Sequence, residues 1–400
     1  MLLGEASHGT HEYYTWRAAI SKRLIEEKGF KFIAVEGDWP DCYRLNRYIK
    51  NYKDSGKSAV EVLQAFNRWP TWMWANWEIV ALVEWLRKYN DAQAPDDKVG
   101  FYGLDVYSLW ESLDSIAKYL DENDMGSRQA VNAAIECFEP YGDKEGRAYG
   151  RASLVVPSIC EDEVVRLLAE IRKNTSTFYP KDTENALNLE WNAHVILDAE
   201  KYYRAMVRSG VDSWNIRDRH MADTLDNLVD FYGEGTKAIV WEHNTHIGDA
   251  RATNMARSGM FNVGQLMNQY YGPDKVFPVG FGSYSGTVIA GTEWGETPMR
   301  MKVPDAQPGS WEDMLHNLGA KDRLLLMDDQ LKQAMDQRVI GHRAIGVVYD
   351  PTYERYGNYV PSRMAQRYDA FIYLDRTKAL HPLHVSPEES QIPETYPFGL

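Results

Sequence analysis

A chain of 400 residues is long enough to bury a full hydrophobic core, and 44% hydrophobic with 26% charged residues is typical of a globular protein. The net charge of -14 at neutral pH argues against nucleic acid and anionic membranes as partners. We find no secretion signal and no apolar run near the roughly 18 residues of a membrane span. Three scattered cysteines, Cys42, Cys137 and Cys160, predict reduced thiols and a cytoplasmic location, and we expect a monomer.

The start of the chain carries the most informative motif. An apolar pair, Leu2-Leu3, precedes Gly4-Glu5-Ala6-Ser7-His8-Gly9-Thr10, and a helix is predicted over 12–28. A carboxylate and an imidazole three positions apart, bracketed by glycines, therefore lie where a strand passes into a helix, which is where α/β proteins bind ligands. The first strand is shorter than usual. Lost upstream sequence and trimming for expression would both explain this.

Further along the chain, short apolar runs end in glycine or polar residues and predict strands buried on both faces. They span 32–35, 98–104, 238–241, 276–281, 345–349 and 371–374. Helical periodicity separates most of them, as over 78–87, so the pattern predicts an α/β fold with a largely parallel central sheet flanked by helices. Parallel strands end at the same edge of a sheet. We therefore expect five side chains to meet in one crevice: Glu5, His8, Glu36, His243 and His246.

The segment 109–201 shows helical periodicity without a convincing buried strand. We interpret it as a helical insertion that divides the α/β core into 1–108 and 202–400. Such an insertion would cap the crevice and give a substrate an apolar wall. The alternative is a helical layer that only packs against the sheet.

Absent motifs narrow the chemistry. The nearest approach to a Gly-x-Ser-x-Gly elbow has Tyr284 at its centre, and the chain lacks a phosphate loop and a dinucleotide fingerprint. The remaining histidines and carboxylates suit direct activation of water, since an imidazole oriented by a carboxylate can accept a proton near neutral pH. A cation or hydrogen-bond donor must then stabilise the carbonyl oxygen, for which Arg17, His243 and His246 are candidates.

Six segments, taken together and in this order, resemble the erythromycin esterase family up to about Leu383. They are Gly4 to Thr10, Arg17, Val35 to Asp38, Trp72 to Asn76, Trp241 to His246 and Gly280 to Gly286. The resemblance implies a mixed α/β core with a helical insertion, and cofactor-free hydrolysis of a macrolide lactone without a covalent nucleophile. By position, His8 would be the general base, and Glu5 and Glu36 would orient its imidazole or balance its charge. Arg17, His243 and His246 would bind substrate or the oxyanion.

Several residues allow two interpretations. Glu36, after a buried strand, either faces the crevice, which we favour, or pairs with a cation. His243 and His246 are either functional or hold their loop by hydrogen bonds. Trp72 and Trp74 form either a substrate-binding wall or core. We also expect Tyr284 and Arg251 to line the site, Arg217 to form an ion pair near the exit of the insertion, and His11 to be an exposed helix-start histidine.

Two rival functions use the same residues. In the first, His8, Glu36, His243 and His246 hold a divalent metal ion that activates water for hydrolysis of another bulky ester. In the second, the chain is a non-macrolide member of the family, or a binding or biosynthetic accessory protein that retains the fold without turnover. The leading hypothesis is a metal-independent esterase with a small-molecule substrate.

Overall fold

The computed structural model describes residues 1–384 except 54, 123–127, 143–145, 157–158, 179–182 and 336–337. Its strands are β1 Leu2–Leu3, β2 Phe32–Asp38, β3 Gly100–Asp105, β4 Ala238–Trp241, β5 Pro278–Ala290, β6 Met299–Val303, β7 Arg323–Leu326, β8 Ile340–Arg343, β9 Tyr359–Ser362 and β10 Ala370–Thr377. Its helices are α1 His11–Lys28, α2 Trp39–Ile49, α3 Ala59–Gln64, α4 Trp77–Asp91, α5 Leu109–Glu122, α6 Arg128–Phe138, α7 Arg147–Ala152, α8 Glu161–Phe178, α9 Thr183–Met206, α10 Gly210–Tyr232, α11 Asn244–Ile247, α12 Val263–Tyr271, α13 Trp311–Asn317, α14 Asp329–Met335, α15 Glu354–Gly357 and α16 Met364–Arg367.

An eight-stranded sheet runs in the order β3-β2-β4-β1-β5-β10-β7, with β6 paired to β5. The pairs β2–β4, β4–β1, β1–β5 and β5–β10 are parallel, whereas β7 and β6 add antiparallel edges. Although β1 has two residues, it lies between β4 and β5, with Leu2 opposite both Val240 and Pro278. The predicted α/β class with a largely parallel sheet is confirmed.

One expected strand does not form. The apolar run 345–349 makes only isolated bridges, Ile345 with Ser7 and Val348 with Gly291. Its residues therefore pair singly with two different segments, and no continuous ladder develops. Conversely, the short antiparallel strands β6 to β9 have no counterpart among the predicted apolar runs.

The chain divides into two compact units. The first comprises residues 1–35, 44–101 and the described residues from 228 onward, and the second comprises 36–43 and 102–227. In the second unit, apolar side chains of α5, α6, α8 and α9 form a core, including Leu113, Phe138, Leu167 and Ile196. The predicted insertion 109–201 falls within this unit. That it caps the crevice stays a prediction.

The expectation of three reduced cysteines is wrong, because Cys137 and Cys160 form a disulfide in the second unit. The fold brings their Cα atoms to 5.9 Å across a separation of 23 positions, a proximity that their spacing alone did not indicate. Cys42 is a buried thiol. Among the described residues, no helix is both long enough and apolar enough to cross a membrane. The cytoplasmic location stays a prediction, and its cysteine argument no longer supports it.

The disulfide generates a prediction about stability. A Cys137→Ser/Cys160→Ser variant should lose roughly 3 kcal/mol of unfolding free energy, because opening the cross-link restores conformational freedom to the unfolded chain. Urea denaturation with and without dithiothreitol measures the effect. The reductant should destabilise the wild-type protein and leave the double variant unchanged. Equal midpoints for all four samples would contradict the prediction.

Candidate active site

Close packing at two glycines fixes the loop between β1 and α1. A Cβ on Gly4 would lie 2.1 Å from Oδ1 of Asn244, and a Cβ on Gly9 would lie 1.9 Å from the carbonyl oxygen of Ile289. Neither position admits a larger residue without moving its neighbour. Asn244 is itself held by donation from its Nδ2 to the carbonyl oxygen of Phe281 at 2.6 Å. The two glycines thus allow the loop to pack directly against Asn244 and against strand β5 at Ile289.

The loop presents Glu5 and His8 to each other. His8 Nδ1 lies 3.0 Å from Glu5 Oε1, and both side chains are buried. With a proton on Nδ1, the imidazole donates to the carboxylate and keeps a lone pair on Nε2. Within the described part of the chain, Nε2 makes no hydrogen bond. The Tyr14 hydroxyl donates to the His8 carbonyl oxygen at 3.1 Å, which steadies the backbone.

Arg17 lies behind Glu5 rather than at an open surface. Its Nη2 donates to Glu5 Oε2 at 2.6 Å, and its side chain is fully buried. The guanidinium carbon lies 4.4 Å from the ring centre of Tyr14 and 4.7 Å from that of Trp241, so aromatic faces cover it. A fully buried guanidinium is not placed to touch a substrate. The geometry makes Arg17 the counter-charge of Glu5.

His243 contacts His8. Their ring centroids are 4.9 Å apart with planes tilted by 41°. His243 precedes helix α11, and its Nδ1 accepts from the backbone N–H of Thr245 at 3.3 Å and lies 2.8 Å from the Thr245 hydroxyl. His246 is buried within α11. The structure thus brings His8 and His243 together and fixes the His243 ring through a hydrogen bond, and the catalytic roles of both histidines stay predictions.

Glu36 pairs with a cation inside the second unit, which is the less favoured of its two predicted environments. Arg217 Nη2 donates to Glu36 Oε1 at 2.7 Å and to Asp105 Oδ2 at 2.6 Å, while its Nε donates to Asp105 Oδ1 at 2.9 Å. Burial alone would lower the pKa of Arg217, yet Asp105, Tyr107 and Glu36 raise it well above its ordinary value. The predicted ion pair at Arg217 therefore exists, with Glu36 as one of its acids.

The four residues expected to bind substrate lie in different environments. Trp72 is fully buried and Trp74 nearly so, and Trp74 packs against Tyr14 and Phe101, so both are core residues in this conformation. Tyr284 is half-buried and stacks on His316 with ring centroids 3.7 Å apart. Arg251 is 54% exposed and pairs with Asp249. Their contacts with substrate stay predictions.

A second buried polar network was not predicted. His342 Nδ1 lies 2.5 Å from Glu312 Oε1, and His342 Nε2 lies 3.2 Å from Asn244 Nδ2. Arg367 Nη2 donates to the Asn244 carbonyl oxygen at 2.9 Å. Burial lowers the pKa of His342. Burial opposes ionisation of Glu312 as well, but His342 and Arg343 hold its pKa below the ordinary value. No local motif marks these residues, because four separate segments contribute them.

The expectation for His11 is wrong. The residue is buried, and its Nδ1 lies 2.6 Å from Oε1 of Glu78. Local position at a helix start suggested exposure, but α4 supplies a partner 67 positions away.

With this geometry established, comparison with known proteins assigns the family. The family model described as erythromycin esterase matches residues 25–377. The chain belongs to the erythromycin esterase family. Erythromycin esterase type II of Escherichia coli is 23% identical over 350 residues, covering 79% of this chain and 78% of that protein.

Two solved structures share the fold of this erythromycin esterase family member. A succinoglycan biosynthesis protein superimposes with a TM-score of 0.75 at 18% identity, covering 95% of this chain and 88% of the other. A mutant of the erythromycin esterase EreC in its open conformation gives a TM-score of 0.67 at 15% identity, covering 94% and 90%. The mixed α/β fold is thereby confirmed, and family membership supports a hydrolase.

Replacing Arg17 by methionine should strongly destabilise the fold, because the Glu5 carboxylate would stay buried without its cation. Removing one partner of a buried ion pair typically costs roughly 3–5 kcal/mol of unfolding free energy. The Arg17→Met/Glu5→Gln double variant removes both charges and should recover a large part of that loss. Urea denaturation of both single variants and the double variant measures the coupling. Strictly additive losses would show that the pair does not act as proposed.

Acid should destabilise the protein in two steps through His342 and Glu312. Both have lowered pKa values in the folded state. As pH falls, the unfolded chain therefore binds a proton first, at about 6.5 for histidine and about 4.3 for glutamate, and stability is lost below each value. His342→Gln should flatten the upper step and weaken the lower one, because it also removes a contact that holds the pKa of Glu312 down, as measured by unfolding free energies between pH 8 and pH 4 (roughly the span of both values). The exposed His384→Gln variant is the control, and a wild-type slope in His342→Gln would reject this assignment.

Proposed function

We propose that this chain hydrolyses a carboxylic ester with water activated by His8. The observation that carries the proposal is the hydrogen-bonded series Arg17–Glu5–His8, in which a buried cation and carboxylate orient an imidazole whose Nε2 has no hydrogen-bond partner in the described residues. A carboxylate that fixes the histidine tautomer raises its competence as a base. The family supports the class of reaction.

The reaction follows from this geometry. His8 Nε2 accepts a proton from water while the water oxygen attacks the ester carbonyl carbon. Electrons move onto the carbonyl oxygen, and a tetrahedral oxyanion forms. Collapse of this intermediate breaks the bond to the alcohol oxygen, which takes the proton back from the His8 imidazolium. Glu5, balanced by Arg17, stabilises the imidazolium between the two steps.

Three further residues receive supporting roles in the proposal. His243, in contact with His8, is the nearest candidate donor to the oxyanion. His246 is assigned to substrate or oxyanion binding by the family resemblance. Glu36 is assigned to charge balance on the same basis, alongside its ion pair with Arg217.

The proposed substrate is a macrolide lactone. The name of the Escherichia coli relative supports this choice. A structural neighbour described as a succinoglycan biosynthesis protein supports including other bulky esters in any test. Of the expected substrate contacts, Tyr284 and Arg251 are the partly exposed ones, so we propose them as the first residues that a large ring would meet.

A metal-dependent mechanism centred on His8 is less favoured by the geometry. In the described residues, the histidine and acid side chains that gather three ligand atoms within 4.8 Å are His11, Glu78 and His381, a set that includes neither His8 nor His243. We therefore propose direct attack by water.

The test is mass spectrometry of erythromycin and a panel of bulky esters incubated with the protein, which should detect addition of one water. His8→Ala should abolish turnover. Glu5→Gln should lower kcat of the folded protein by roughly 10²–10⁴-fold with little change in KM, because the base loses its orienting carboxylate. Because this variant also leaves Arg17 buried without its counter-charge, circular dichroism must show that it is folded under the assay conditions. His384→Ala, at an exposed histidine, is the matched control and should retain full activity.

Two outcomes would overturn the assignment. Undiminished turnover in His8→Ala would remove the base from the mechanism. A wild-type protein inert towards the whole panel would favour the accessory role. Added hydroxylamine should not release a substrate-derived hydroxamate from an acyl-enzyme. Detection of such a hydroxamate would replace direct attack by water with a covalent route.

A further inference from the structure

Three potential metal ligands meet near the loop that carries His8. Each comes from a different element: His11 begins α1, Glu78 lies in the first turn of α4, and His381 follows β10. One ligand atom from each lies within 4.8 Å of the other two. His11 Nδ1 and His381 Nδ1 are 2.6 and 2.7 Å from the same oxygen, Oε1 of Glu78. The Nδ1 atoms of both imidazoles thus contact a single carboxylate oxygen.

The charge of Glu78 needs a cation. Its side chain is fully buried, and its partners are the two imidazoles and the backbone N–H of His381, without an arginine or lysine in the described residues. A buried ionised carboxylate is stable only when a positive charge compensates it. Either an imidazolium or a metal ion can supply that charge.

The geometry lies close to that of a metal site. Zinc ligands lie about 2.0–2.2 Å from the ion, which separates tetrahedral ligand atoms by roughly 3.4 Å. The two distances from Glu78 Oε1 to the imidazole nitrogens, 2.6 and 2.7 Å, must therefore open by less than 1 Å. His381 is 38% exposed, whereas His11 and Glu78 are buried. Because His381 is partly exposed, its side chain has room for this movement.

We propose that His11, Glu78 and His381 form a binding site for a divalent transition-metal ion, with zinc as the best-matched ion. Two imidazole nitrogens and a carboxylate oxygen suit zinc better than magnesium, which prefers an all-oxygen octahedral shell. The three ligands do not include His8, and the proposal of a metal site does not depend on ester hydrolysis.

Its role is to clamp three segments together. They are already joined by backbone hydrogen bonds: His11 to Lys378 at 2.8 Å, Leu380 to Gly9 at 3.0 Å and Trp77 to His381 at 3.0 Å. A bound ion fastens the same segments through side chains, three positions after His8. Metal binding thereby stabilises the folded state, because the unfolded chain does not bring the three ligands together.

The experiment uses the full chain, freed of metal with a chelator and titrated with Zn²⁺ by calorimetry and with Co²⁺ by visible absorption. We expect one equivalent of each ion to bind with micromolar or tighter affinity and to raise Tm, and excess Mg²⁺ not to compete. His381→Ala and Glu78→Gln should each weaken binding by at least the roughly 10–100-fold typical when a hydrogen-bond partner of a ligand is lost. Because His381 is partly exposed, His381→Ala should fold, which circular dichroism checks.

Two matched histidine variants locate the site. His384→Ala, three positions beyond His381, and His8→Ala should both bind Zn²⁺ like the wild-type protein. Absence of binding, an unchanged affinity in His381→Ala, or loss of binding in His8→Ala would each overturn the proposal. A failure of ester hydrolysis leaves these readouts unaffected, so the two proposals can fail independently.

Discussion

The buried ion pair between Arg17 and Glu5 is the constraint on which the site depends. Neither charge has access to water, so each is stable only in the presence of the other, and the rings of Tyr14 and Trp241 enclose the guanidinium. Once Glu5 is fixed in this way, its second oxygen determines where the imidazole of His8 lies and which nitrogen carries the proton. The pair thus makes helix α1 a support for the loop that carries His8.

Asn244 transmits this constraint to the rest of the first unit. Its side chain is the surface against which Gly4 packs, and it also contacts His342, while its carbonyl oxygen accepts from Arg367. The loop of His8 and the buried network of Glu312 and His342 therefore share one residue. A change in either network should reach the other, since interiors packed this closely have no room for independent movement.

The sequence predicted the buried strands, from their apolar runs, and the side chains that meet where parallel strands end. Continuous apolar runs located β2 and β4, and parallel topology implied that Glu5, His8 and His243 approach each other. The sequence could not predict ion pairs and disulfides between residues that only the tertiary fold brings together. Arg217 reaches Glu36 across 181 positions, and the Cys137–Cys160 pair has no local signature. Arg17 shows the limit within a motif: its place on α1 was evident, but its burial behind Glu5 also depends on Trp241, which strand β4 supplies.

His8 and His11, three positions apart, each contact a buried carboxylate, but only one of these carboxylates is paired with an arginine. Glu5 has an arginine to neutralise it, so His8 need not be charged and its second nitrogen stays available to accept a proton. Glu78 contacts only imidazoles and a backbone N–H among the described residues, so its charge has to be met by a proton on a histidine or by an ion between them. The presence or absence of one guanidinium thereby distinguishes the site that we propose for proton transfer from the site that we propose for a metal ion.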